Sequence, residues 1–226
     1  MTDALTGSDR NLYTDPADYI DSDHPAVQAF AAQHAPASAT DREKASLLYA
    51  AVRDGIRYNP YVDMRAVETF RASSVLAAGN GYCVGKAALY AAACRAQGVP
   101  ARVGFADVRN HLTTDKLRES MGTDIFTWHG FTHVYVEGAW RKATPTFNAS
   151  LCAKLGVHPL DFDGLNDALL HPFDGGGRQF MQYVVDHGVF HDVPAKFLMR
   201  QMARDYAKMT AEDLSSRDME MEAQGS

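Results

Sequence analysis

The sequence predicts an α+β fold in which a central helix packs on an antiparallel sheet. Three observations carry that reading. A turn, Gly79-Asn80-Gly81, leads into an alanine-rich run that starts at Cys83 and has strong helix propensity. Alternation in Ala101-Arg102-Val103-Gly104-Phe105-Ala106-Asp107-Val108 then marks a strand. Finally, Phe131 to Val136 and Ala139 to Thr144 flank Glu137-Gly138 as a hairpin.

The elements follow in chain order. Residues 1 to about 22 are polar and acidic and read as an irregular arm. Asp23-His24-Pro25 opens a short helix with Pro25 in its first turn. Thr40-Asp41-Arg42-Glu43 has capping-box spacing and starts a helix with Ala45, Leu48, Val52 and Ile56 on one face. Arg57-Tyr58-Asn59-Pro60 ends it, and a further helical piece runs from Ala66 to about Ala78. The Cys83 helix stops at Gly98-Val99-Pro100. A helical turn is expected from Lys116 to Met121, a flexible loop at Gly175–Gly177 and a terminal helix from Pro194 to Met209. The chain divides into an arm and short helix (1–40), a core (41–150) and a C-terminal extension (151–226). The extension is expected to end in a disordered tail from about residue 214.

Composition narrows the function classes. With 226 residues, 46% apolar and 22% charged, the chain can bury a sizeable core. A net charge of −6 and the lack of any basic run argue against nucleic acid. No membrane-length apolar stretch and no signal-peptide pattern occur, so the cytoplasm is the expected location. Cys83, Cys94 and Cys152 form neither a metal-type pair nor an even disulfide framework. No cofactor or metal is expected, and oligomeric state is left open. Cys94, among alanines, reads as packing.

Cys83 is the residue with chemistry to offer. At the first turn of a helix a thiol meets unpaired backbone N–H groups and the positive end of the helix dipole, which favour the thiolate. A nucleophilic cysteine also needs an imidazole, commonly distant in sequence. His129 and His133 sit at even separation on the first hairpin strand. Register counted outward from Glu137-Gly138 sets His129 opposite Thr146 and diagonal to Thr144. His187 and His191 have the i, i+4 spacing of metal ligands on a helix, but Gly188 between them weakens a helix and no third ligand is evident beyond Asp186 or Asp192.

From about Tyr49 to Phe147 the chain resembles the transglutaminase-like superfamily, a papain-like group of cysteine enzymes. Four pieces in order carry the resemblance. They are Ile56-Arg57-Tyr58, the Gly81-Tyr82-Cys83 turn, the helix end from Cys94 to Val103, and His129 followed by Val134 to Trp140 with the Thr144-Pro145-Thr146 close. The resemblance implies Cys83 as nucleophile and His129 as base. His133 is the runner-up, because only His129 keeps the spacing to Trp140 and the Thr-Pro-Thr close. The family's third residue, an aspartate before proline, falls on Thr144, and a glutamate common four residues after the histidine falls on His133. Asn148 is a candidate substitute as orienting amide. Asn80 and the Tyr58-Asn59 loop are candidate oxyanion donors beside the Cys83 N–H. Tyr82, Trp128, Phe131 and Tyr135 are candidate pocket walls. The implied activity is hydrolysis or acyl transfer on a peptide or small-molecule amide through a Cys83 thioester. The rival is a binding module that keeps the fold without the chemistry.

Overall fold

A computed structural model of the chain describes residues 5–111, 114–169, 181–214 and 216–223. Helix α1 (Gly7–Leu12) lies within the expected irregular arm, held by a reciprocal cap between Thr6 and Asp9. Helix α2 (Pro25–His34) starts at Pro25, and α3 (Asp41–Gly55) starts at the Thr40/Glu43 capping box. Strand β1 (Arg57–Tyr58) pairs in parallel with β2 (Asn80–Gly81). Between them lie a 3-10 turn (Val67–Phe70) and α4 (Ala72–Ala78). Helix α5 (Cys83–Ala96) follows at once, then β3 (Ala101–Asn110), α6 (Asp115–Met121), β4 (Ile125–Val136) and β5 (Ala139–Ala143).

The four-stranded antiparallel sheet has the order β5-β4-β3-β6, with β6 (Met181–Phe190) at one edge. Helix α7 (Ala149–Leu155) precedes that strand; α8 (Ala195–Asp205), α9 (Ala207–Ala211) and α10 (Met219–Glu222) follow it. The hairpin turns on Glu137 (φ 49°) and Gly138 (φ 79°), and Val136 pairs with Ala139 as counted from sequence. The Gly175–Gly177 loop lies outside the described residues.

Helix α5 is the centre of the molecule. Residues Cys83 to Arg95 are all buried, with α2, α3 and α4 on one side and the sheet on the other. An alanine-rich sequence suits that place, because small side chains let neighbours approach from every direction. The sheet contact is closest at the cysteine end. A Cβ on Gly130 would lie 2.8 Å from the Val84 Cα, so β4 comes this near only because residue 130 has no side chain. One step along, the Thr132 hydroxyl donates to the Ala87 carbonyl at 2.9 Å.

Lys86, fully buried on α5, donates to the carbonyls of Arg53 and Ile56 at the end of α3. Burial lowers its pKa to about 7, with the Asp54 charge leaning the other way. The ammonium thus satisfies carbonyls that α3 leaves open and fixes the exit toward Tyr58. Two features of the last third differ from expectation. His187 lies on strand β6 and His191 just past its end, so they share no helix face and the i, i+4 pair never forms. Residues 216–223 are packed where a disordered tail was expected. Met219 is fully buried and Arg217 stacks over the Tyr61 ring at 4.2 Å, which gives the segment an apolar and a cationic anchor. Among the described residues no helix is long and apolar enough to cross a membrane.

Candidate active site

Cys83 is the first residue of α5, and Tyr82 caps the helix without any side-chain hydrogen bond. The first N–H groups of the helix therefore remain free to face the sulfur. The N–H groups of Gly130, Val84 and Cys83 itself all favour the thiolate, but burial outweighs them and pushes the thiol up to about 11. The sequence-based expectation of a thiolate is thus reversed in this closed arrangement, because Cys83 is only 6% exposed.

His129 lines the same cavity as Cys83, a space of about 30 Å³ that holds on the order of one or two waters. It is 3% exposed, and its Nε2 has no hydrogen-bond partner among the described residues. Burial alone draws the imidazole down to about 4. Thiol and imidazole therefore stand neutral together rather than as an ion pair. His133 is placed elsewhere. It packs near Phe131 and Trp140, and does not line the cavity. Burial, with Arg102 and Lys142 adding to it, lowers it to about 3, while Asp186 opposes.

The expected third residue is not engaged. Strand β5 ends at Ala143, opposite Thr132, so the pairing of His129 with Thr146 does not form. The chain turns off there because Thr144 N–H bonds the carbonyl of Ala168 and Tyr49 holds the Thr144 carbonyl. The Thr144 and Thr146 hydroxyls are buried without partners among the described residues. Asn148 is committed elsewhere as well. Its Oδ1 accepts the Tyr58 N–H at 2.9 Å and its Nδ2 donates to Ser150 and Glu220. It orients the Tyr58 wall, not the imidazole.

Of the expected walls and donors, Tyr58 and Tyr82 line the cavity. Asn80 does not, since its amide donates to the Ala78 carbonyl within the turn. Trp128 turns away to stack on His187 at 3.9 Å, Phe131 lies under Gly104, and Tyr135 packs on Trp140. Sequence reasoning missed the other walls. Met64, Met121, Met202, Tyr206 and Met209 complete the enclosure, the last three from α8, the α8–α9 junction and α9. Tyr206 ties that roof to β4: its hydroxyl accepts from the Thr127 N–H and donates to the Ile125 carbonyl. The sequence predicts a terminal helix from Pro194 to Met209 but not what that helix would cover.

A helix-borne cysteine and a strand-borne histidine in one cavity agree with a match of residues 28–145 to the transglutaminase-like superfamily. The chain belongs to that superfamily. Its curled antiparallel sheet and cysteine-headed helix are the transglutaminase-like, papain-like fold. Among solved structures, a candidate cysteine protease from Cytophaga hutchinsonii is 19% identical over 90% of this chain, with a TM-score of 0.47. This chain spans 50% of the length of that one. No curated protein matches it.

Proposed function

We propose that this transglutaminase-like protein is a cysteine-dependent amide hydrolase or acyltransferase, with Cys83 as nucleophile and His129 as general base and acid. The observation that carries the reading is the shared cavity. One thiol and one imidazole with an unpartnered Nε2 meet there, at a helix end whose N–H groups are free. Because thiol and imidazole are neutral at rest, proton transfer accompanies attack. The Cys83 proton passes to His129 as Sγ bonds the substrate carbonyl carbon. The Cys83 N–H and the Gly130 N–H are the candidate donors for the developing oxyanion. The imidazolium then protonates the leaving nitrogen, the C–N bond breaks and a thioester remains. His129 next takes a proton from water or an amine, which attacks the thioester, and Cys83 leaves with the proton returned to it.

Methionines, aromatics and Pro60 make up most of the cavity lining, and among the described residues no charged side chain enters it. A peptide or small-molecule amide with an uncharged, apolar acyl group is the fitting substrate. Methionines repack readily, so a larger group can enter once the roof yields. The test is incubation with an activated ester of a medium-length fatty acid and mass measurement of the intact protein. A single acyl adduct on Cys83, absent from Cys83→Ala and slowed in His129→Ala, is the expected result.

A second reading, a binding module without turnover, draws on the raised thiol, the lowered imidazole and the disengaged Thr144. Unchanged mass under those conditions, with a saturable shift in intrinsic fluorescence, would favour it.

A further inference from the structure

Thr144 leaves the site without the expected carboxylate, yet the neighbouring strand carries one next to the residue that pairs with His129. His129 pairs across the sheet with Ala106, whose chain neighbour is Asp107. Asp107 sits where β3 slips register against both of its neighbours, β4 and β6. Its Oδ1 accepts the backbone N–H of Trp128 at 2.9 Å and lies 2.7 Å from the Nε2 of His187. The His187 ring in turn lies flat on the Trp128 indole, 9° from parallel.

Trp128 is the residue immediately before His129, and its φ is +55°, a left-handed conformation rare for a bulky aromatic. Such a conformation persists only where the surroundings over-determine it. Here three contacts do so: the Asp107 bond to its N–H, the His187 stack on one ring face and Phe197 edge-on at 4.8 Å. Bulges of this sort turn a strand and aim the side chains next to them.

We propose that Asp107 is a positioning residue for His129, acting through the backbone of Trp128 and the bulge it clamps. This rests on the Cys83–His129 pair of the proposed function. Asp107 does not touch the imidazole, and no Asp107 charge contributes to the lowered His129 titration. Its role is geometric: it needs an acceptor oxygen at this place, not a negative charge. The carboxylate that a catalytic triad would aim at the imidazole ring is replaced by one that fixes the peptide leading into it.

The test measures Cys83 alkylation by iodoacetamide against pH, resolved from Cys94 and Cys152 by peptide mass spectrometry. Thermal unfolding is recorded in parallel. The parent is expected to show a neutral-pH limb that disappears in His129→Ala. Asp107→Leu, of similar volume but without an acceptor, lowers that limb roughly tenfold, within the range on the order of 10²-fold that small misplacements cost. Asp107→Asn keeps an oxygen for the Trp128 N–H and holds the limb within about threefold of the parent. A limb of parental height in Asp107→Leu, with His129→Ala still lacking it, overturns the proposal and leaves the pair intact. Should Asp107→Leu not fold, a folded Asp107→Asn variant that loses the limb contradicts a purely geometric role. A parent with no His129-dependent limb removes the pair, and this inference with it.

Discussion

Floor and roof of the Cys83 cavity hold their side chains by opposite means. The floor is Cys83 on the buried end of α5 and His129 on β4, joined where Gly130 lets backbone meet backbone. Its position is set by the sheet register, by helix packing and by Lys86 behind it. The roof is made of methionines and Tyr206, carried on the C-terminal segment after β6. That segment is tied down by side-chain bonds, among them Tyr206 to Thr127, Arg217 to Ser120 and Arg57 to Asp218. Chemistry is placed by elements that cannot shift without unfolding, while access is governed by contacts of small individual worth. On the function proposed above, a substrate larger than a few atoms would have to displace the roof, and doing so would rehydrate the sulfur.

The sharpest break in this comparison is a floor substitution. His129→Ala should lower thioester formation by on the order of 10²- to 10⁴-fold, the usual worth of a positioned acid–base group. His133→Ala should stay within a few-fold, which single-turnover acylation by mass spectrometry can read. Loss in His133→Ala alone would move the site to the other face of the argument.

Acid titration probes the floor next. Burial draws His129 to about 4 in the folded chain, below the ordinary 6.5 of a histidine. The neutral form is thus favoured by folding, and the stabilisation is complete above about pH 6.5 and lost as pH falls toward 4. At most this amounts to about 3 kcal/mol. Denaturant unfolding of His129→Gln across that window should show a shallower pH slope than the parent. An equal slope would mean that His129 is not buried as neutral imidazole.

On the roof, Tyr206→Phe removes a hydroxyl bonded to Thr127 and Ile125 while keeping the ring. A net hydrogen bond is worth about 1 kcal/mol, so Cys83 alkylation should speed up by roughly three- to tenfold. The thiol pKa should also fall from about 11 toward the ordinary 9.0 of a cysteine as burial loosens. Slower alkylation would show that the hydroxyl serves the chemistry rather than the closure. The smallest effect is expected from Arg57→Ala. Its ion pair with Asp218 is 2.7 Å long, but Arg57 is 55% exposed, so at most about 1 kcal/mol is at stake. Proteolysis of the C-terminal segment should increase slightly with the rest of the chain unchanged.

Legibility in the sequence follows the same division. The Cys83 helix and the hairpin were readable because each rests on local signals: a glycine turn before an alanine run, and Glu137-Gly138 between alternating strands. Strand β6 was not. Its residues 181–190 carry exposed valines at 184, 185 and 189 and a mid-strand glycine, so neither period stands out. The roof was hidden for another reason. Met202 and Met209 meet Cys83 across more than a hundred residues, and an amphipathic helix names its buried face without naming its neighbour. The Trp128 bulge was invisible because nothing local favours a left-handed tryptophan; Asp107 imposes it from another strand. Thr144 was placed by counting register beyond Ala143, where the Ala168 contact takes the chain away.

The central claim is that Cys83 and His129 form one reacting pair beneath a displaceable roof. It is tested most directly by the pH–rate profile of Cys83 alkylation in the Tyr206→Phe background, with and without His129. The account predicts faster labelling than the parent near neutral pH, and loss of that labelling when His129→Ala is added. Equal labelling with and without the imidazole would contradict it, leaving Cys83 a buried thiol in a fold that binds rather than reacts.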